Sequence, residues 1–185
     1  MSVYEQIGLR PFINATGTVT VHGGSLMPPE ALDAMREAAQ QFVDVPDFHE
    51  RAGRYLADLI GVPGVFISSG AAGGIAVAVA AALTGGDTEK AHDLPHVDGR
   101  PNEVVALRTG RPNYMHQAAE MVGGRIVEVG ARDAATVDDF AGALGRKTAA
   151  ILYVYPYVEA TFEHAGDRAA TIPAVAEVAR RAGVC

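Results

Sequence analysis

The run Phe66-Ile67-Ser68-Ser69-Gly70-Ala71-Ala72-Gly73-Gly74 holds the residue types best suited to ligand chemistry in this 185-residue sequence. An apolar segment enters a turn of small residues, and the turn opens an Ala-rich stretch. The first turn of a helix leaves N–H groups without intrahelical partners and carries partial positive charge, so it holds phosphate well. Ser69 adds a hydroxyl donor, and Gly70 lets the backbone approach a ligand closely. A tight strand-to-helix turn with no ligand fits the same residues, and on pattern alone the two readings stand level. The glycines do not fall in G-x-G-x-x-G order, no Gly-Lys-Ser/Thr follows, and there is no G-x-S-x-G elbow.

Three further stretches carry polar chemistry. Arg108-Thr109-Gly110-Arg111-Pro112-Asn113-Tyr114-Met115-His116 follows a strand and opens a helix. In open parallel sheets, ligands bind at the carboxyl ends of strands. Tyr114 or His116 suits a flat ring, and Arg108 or Arg111 suits an anion; a solvated helix start explains the same residues. Ile13-Asn14-Ala15-Thr16-Gly17, with Val21-His22-Gly23-Gly24-Ser25 after it, fits a ligand-touching loop. An arm held by its own turn chemistry is the favoured reading there. His92-Asp93-Leu94-Pro95-His96-Val97-Asp98 has metal-binding residue types, but its spacing matches no standard zinc pattern. A solvated loop is favoured.

These residues need elements to position them. Pro28-Pro29 starts a helix to about Phe42, with Ala31, Met35, Ala38 and Ala39 as its apolar stripe. A second helix runs from about Asp47 to Ile60, with Phe48, Tyr55, Leu56, Leu59 and Ile60 on its buried face; Gly61 and Pro63 end it. Strand and helix then alternate. Val65-Phe66-Ile67 reads as a short buried strand, and Ala72 to Leu83 as a helix packed on both sides. Gly85 to Asn102 is a polar connection. Val104–Leu107, Ile126–Val129 and Ala149–Tyr155 read as strands. Helices are expected over Pro112–Val122, from a cap at Thr136 to near Leu144, and over Ile172–Ala182. The pattern predicts an α/β fold with a mostly parallel sheet between helices. The organisation expected is an N-terminal arm with helices over 1–61 and a sheet-bearing domain over 62–185.

Hydrophobic residues at 49% and charged residues at 20% describe a globular chain. The net charge of −7 and the lack of a dense basic run argue against a large nucleic-acid footprint. Cys185 is the single cysteine, so no internal disulfide is expected, which fits a cytoplasmic protein. The apolar stretch Gly70–Leu83 is too short to span a bilayer. The closing Arg180-Arg181-Ala182-Gly183-Val184-Cys185 reads as a helix stop and the entry to a further strand, so a truncated chain is expected.

Taken in order, the segments resemble a pyridoxal-phosphate (PLP) family that includes bacterial selenocysteine synthase. They look closer still to its shorter relatives of the D-glucosaminate-6-phosphate ammonia-lyase type. Asn14-Ala15-Thr16-Gly17 is similar to the family's opening motif. Arg125-Ile126-Val127-Glu128-Val129-Gly130 resembles its LVEVG strand, and Thr148-Ala149-Ala150-Ile151-Leu152 its TAAIL strand. The resemblance implies the aspartate-aminotransferase fold, fold type I: the incomplete large domain of a three-layer PLP transferase. It also implies active sites shared between subunits, hence a homodimer or larger homo-oligomer. Ser69, Gly70, Ala71 and Ala72 then correspond to the loop that binds the cofactor phosphate, and His116 to the ring cover. Thr18–Ser25 would approach the site.

Two departures qualify this. No extra N-terminal domain for tRNA precedes the motif, and His22-Gly23-Gly24-Ser25 stands where selenocysteine synthase has HTNLGR. A small amino acid or amino sugar acid is therefore the expected substrate, rather than tRNA. The family also needs a lysine bonded to PLP and an acidic partner for the pyridine nitrogen. The chain has two lysines, Lys90 and Lys147, and neither is placed for catalysis. The expectation is thus the N-terminal portion of a PLP-dependent lyase or transferase, with no catalytic residue of its own. The rivals are a non-catalytic truncated paralogue or interaction subunit, and a Rossmann-like nucleotide-binding domain. The last calls for an acidic residue after the second strand, where Leu107 leads instead into Arg108.

Overall fold

The computed structural model describes residues 2–109, 113–131, 135–154 and 170–185. The chain divides into two compact units, Met1–Arg51 and Ala52–Cys185.

In the first unit, Ser2 and Glu5 form a reciprocal capping box on the short helix α1, Val3–Gln6. A single 3-10 turn follows at Thr20–His22. Helix α2, Pro29–Ala38, begins on the proline expected at its first position. It stops short of Phe42. Helix α3, Val45–Ile60, spans the division between the units.

The second unit is built on a parallel sheet of three strands: β1 Glu103–Leu107, β2 Arg125–Val129 and β3 Thr148–Leu152. Their order is β2-β1-β3. Val104 pairs with Ile126 on one side and Ala150 on the other. Beyond β3, the Ile151 N–H donates to the Cys185 carbonyl at 2.7 Å, and the Cys185 N–H to the Ala149 carbonyl at 3.4 Å. The strand entry expected at Val184 is thus present as backbone pairing.

Helices cover both faces of the sheet. On one lie α4, Ala71–Thr84, and α6, Tyr114–Met121, where Val79, Leu83, Val104 and Ala119 form a buried cluster. On the other lie α7, Val137–Ala143, and α8, Ile172–Ala182. There Phe140, fully buried, packs among Val105, Leu107, Val129 and Val175. The mostly parallel α/β architecture read from the sequence is the one observed. Thr136 caps α7 by accepting from the Asp139 N–H at 3.2 Å, and Asp139 returns the bond to the Thr136 N–H at 2.7 Å. Thr136→Ala should lower stability by about 1 kcal/mol, read as a shifted urea midpoint with an unchanged slope.

Several expectations need correction. Residues 65–67 form no strand, and Phe66 and Ile67 are 61% and 41% exposed. On α3 the buried residues are Gly53 and Ala57, whereas Phe48, Tyr55, Leu59 and Ile60 are exposed. The cause is close backbone packing: a Cβ on Gly53 would overlap the Val65 carbonyl. Small residues therefore take the inner face with half-buried Leu56 beside them, and the other large residues are left exposed. Helix α4 buries only Val79, Leu83 and Thr84, so it packs on one face rather than two. The polar connection contains a short helix, α5, Thr88–His92, capped by Asp87. Strand β3 ends at Leu152, and Gly110, Arg111, Pro112 and Tyr155 lie outside the described residues.

Candidate functional site

Helix α4 begins without a side-chain cap. Its N-cap residue, Gly70, has φ 138° and ψ 176°, a conformation almost closed to residues with a Cβ. Gly70 thereby turns the chain sharply into the helix. Its carbonyl accepts from the Gly74 N–H at 2.9 Å and from the Ser68 hydroxyl at 3.0 Å. The N–H groups of the first turn face no capping side chain, so they remain available to an anion.

Two glycines shape the space above that turn. A Cβ on Gly73 would come within 2.9 Å of the Ser69 hydroxyl, and one on Gly74 within 3.1 Å of the Ser68 hydroxyl. Without those methyl groups, both hydroxyls fold over the opening of the helix. Ser69, Gly70, Ala71 and Ala72 are all exposed. The chemistry available is a cluster of N–H and O–H donors at a positive helix end, which suits a phosphate.

Ile75, one turn into α4, packs against the same apolar cluster as Leu152, the last residue of β3. His116 lies at the carboxyl edge of the sheet, beside Leu107 and Leu152. Asn113 caps α6, accepting from the Met115 and His116 N–H groups at 3.0 Å each, and donates to the Thr109 hydroxyl at 3.1 Å. This ties the start of α6 to Thr109, two residues past β1. The His116 side chain is 10% exposed, with Nδ1 4.0 Å from Glu128 Oε1. That oxygen also accepts from the Thr109 N–H at 3.4 Å.

Sequence reasoning singled out His116 but missed Glu128. A signal was present: a carboxylate one residue from the carboxyl end of an otherwise apolar strand, Ile126-Val127-Glu128-Val129.

A small recess beside His116 is lined by Ala106, Leu107, Thr109, Met115, Leu152 and Val154, without Ser69 or its neighbours. Tyr114 is exposed.

The N-terminal motif stabilises its own turn. Asn14 Oδ1 accepts from the Thr16 N–H at 3.0 Å and its hydroxyl at 2.7 Å, while Asn14 Nδ2 donates to the Gly17 carbonyl at 2.8 Å. His22 meets Phe12 edge-on at 5.1 Å.

In the 92–98 segment, Arg100 bonds the carbonyls of Lys90 and His96 and lies 3.7 Å from Asp93. Lys90 pairs with Asp87 at 3.2 Å. The Lys90 N–H donated to Asp87, with its ammonium alongside, holds the Asp87 carboxyl below its ordinary value. Lys147 immediately precedes β3 and so stands at the amino edge. Lys90 lies in α5, past the carboxyl end of α4.

Comparison with known proteins places these features in context. The chain is 40% identical over 156 residues to D-glucosaminate-6-phosphate ammonia lyase of Salmonella typhimurium, covering 83% of this chain and 42% of that protein. It is 34% identical over 155 residues to 5'-C-glycyluridine monooxygenase-decarboxylase of a Streptomyces species, covering 82% of this chain and 39% of the other. A solved structure of D-glucosaminate-6-phosphate ammonia-lyase superposes with a TM-score of 0.85 at 36% identity, over all of this chain and 49% of that one. The chain therefore spans about half the length, or less, of the relatives it matches. No protein-family model matches it. No described helix is long and apolar enough to cross a membrane.

Proposed function

We propose, from the premise that this chain belongs with the D-glucosaminate-6-phosphate ammonia-lyase-like PLP proteins, that it provides the phosphate cradle and ring cover of a PLP-dependent lyase. The observation that carries this reading is the uncapped opening of α4, where Gly73 and Gly74 leave room for the Ser69 and Ser68 hydroxyls. PLP, when bound, supplies an electron-withdrawing ring for charge developing beside an amino-bearing carbon. The N–H groups of Ala71 and Ala72 and the Ser69 hydroxyl would hold its phosphate. Glu128 steadies the His116 imidazole, which would lie over the ring.

A small amino acid or amino sugar acid is the substrate class this reading favours. The lyase branch is preferred because identity to the ammonia lyase, 40%, exceeds the 34% to the monooxygenase-decarboxylase. A homo-oligomer in the cytoplasm is the setting proposed for it. In this reading Lys90, which follows the far end of α4, and Lys147, at the amino edge of the sheet, take no part in cofactor attachment.

Pyridoxine 5′-phosphate tests the cradle directly, because it carries the phosphate without the reactive aldehyde. Calorimetry should find it binding at least about tenfold more tightly than pyridoxine, and Ser69→Ala should weaken it by about tenfold. A hydrogen bond to a charged group contributes about 1.5–3 kcal/mol, and 1.4 kcal/mol is a factor of about ten. Equal affinity for the two compounds would remove the reading.

A further inference from the structure

At the opposite, amino edge of the sheet lies a cleft of about 370 Å³, bordered by Asp98, Arg100, Asn102, Arg125, Arg146 and Lys147. That volume is within the range of small-molecule sites. Four of the chain's 15 lysines and arginines line it, against one carboxylate, in a protein whose net charge is −7. Such a concentration of one sign raises the local concentration of the opposite ion.

The walls are held in place by specific contacts. Arg100 bonds the Lys90 and His96 carbonyls, tying down the 90–100 segment. Gly123 meets the backbone of Pro95 so closely that a Cβ there would overlap the Pro95 carbonyl. Arg125 pairs with Glu103 along the edge.

Helix α6 ends near this edge, and free carbonyls there would repel an anion. They are occupied instead: Asn102 Nδ2 donates to the Gly123 carbonyl at 3.0 Å, and the Gly124 N–H to the Ala119 carbonyl at 3.0 Å. Arg146 and Lys147 are exposed, and neither forms an ion pair among the described residues. Two adjacent cations thus line the cleft with no ion-pair partner among the described residues, and Asp98 is the one carboxylate in its lining.

We infer that this cleft binds a small polyanion carrying a pyrophosphate or comparable di-phosphate group, separate from the turn at α4. Arg146 and Lys147 contact the charged oxygens, Arg125 adds a third cation at the rim, and Asp98 sets a limit on affinity by facing the same space.

The probe is inorganic pyrophosphate, followed by calorimetry and by phosphorus NMR at low ionic strength. Binding should weaken at least about tenfold in the Arg146→Gln/Lys147→Gln variant, whose exposed positions leave the fold intact by circular dichroism. Asp98→Asn should tighten it about threefold, by removing a like charge. Ser69→Ala should leave it unchanged, which separates this site from the proposed cofactor cradle. Nucleoside diphosphate binding more tightly than pyrophosphate would identify a nucleotide as the source, and equal affinity a free anion. No binding of pyrophosphate overturns the inference. So does binding that is insensitive to the double variant, or that follows Ser69→Ala instead.

Discussion

Replacing Phe140 with alanine is expected to lower the unfolding free energy by about 3–5 kcal/mol. The ring is fully buried and touches residues from two strands and from α8, with its centroid 5.8 Å from that of Tyr153. Tyr153 in turn donates its hydroxyl to the Ala170 carbonyl, so the ring helps anchor the entry to α8. Its loss removes apolar contact and leaves a cavity that a parallel sheet backed by α4 and α6 cannot easily collapse. Domain stabilities run to about 5–15 kcal/mol, so the variant should lose a large share of the total. Urea denaturation followed by circular dichroism measures this directly. A loss below about 1 kcal/mol would mean that α7 is not packed against the sheet in solution.

Gly70→Ala should abolish measurable pyridoxine 5′-phosphate binding while changing the melting temperature only modestly. At φ 138° and ψ 176°, an alanine carries a strain of about 1–3 kcal/mol. The turn is exposed and joins no cluster of the core, so it can relieve that strain by adopting another conformation. Relief comes at the expense of the donors: the first N–H groups of α4 and the Ser69 hydroxyl no longer converge on one point. Affinity depends on that convergence more than the fold does. Calorimetry paired with a thermal melt tests the split. Unchanged affinity in a folded variant would show that the phosphate does not sit at this turn.

How much of this was legible in the sequence depends on what each residue reports. Strand β1 was readable because a strand buried on both faces needs an apolar run, as in Val104-Val105-Ala106-Leu107. Thr136 was readable as a cap, because its hydroxyl does local work that no distant contact alters. The face of α3 was not. Periodicity identifies the stripe of large residues, yet the buried side is chosen by the Val65 backbone lying against Gly53, a contact with no sequence signature. The extended segment 65–67 was read as a strand from composition alone. Apolar content gives the propensity to pair and says nothing of whether a neighbouring strand is there to pair with.

The candidate site divides the same way. The turn at Ser69-Gly70 was visible as a helix start, since serine and glycine are favoured there with or without a ligand. The pairing of His116 with Glu128 depends on the register of β1 against β2, which sets Ala106 beside Glu128. It could be found only once that register was known.

A helix that begins on glycine, followed by two alanines and two more glycines, has given up the usual means of protecting its own first turn. Part of its resistance to fraying is left to whatever solute settles there. Mass action then couples the two: an oxyanion at one hundred times its dissociation constant would add about 2.7 kcal/mol to the folded state. Slower amide hydrogen exchange at the opening of α4 would accompany that gain, with the far end of the helix responding less.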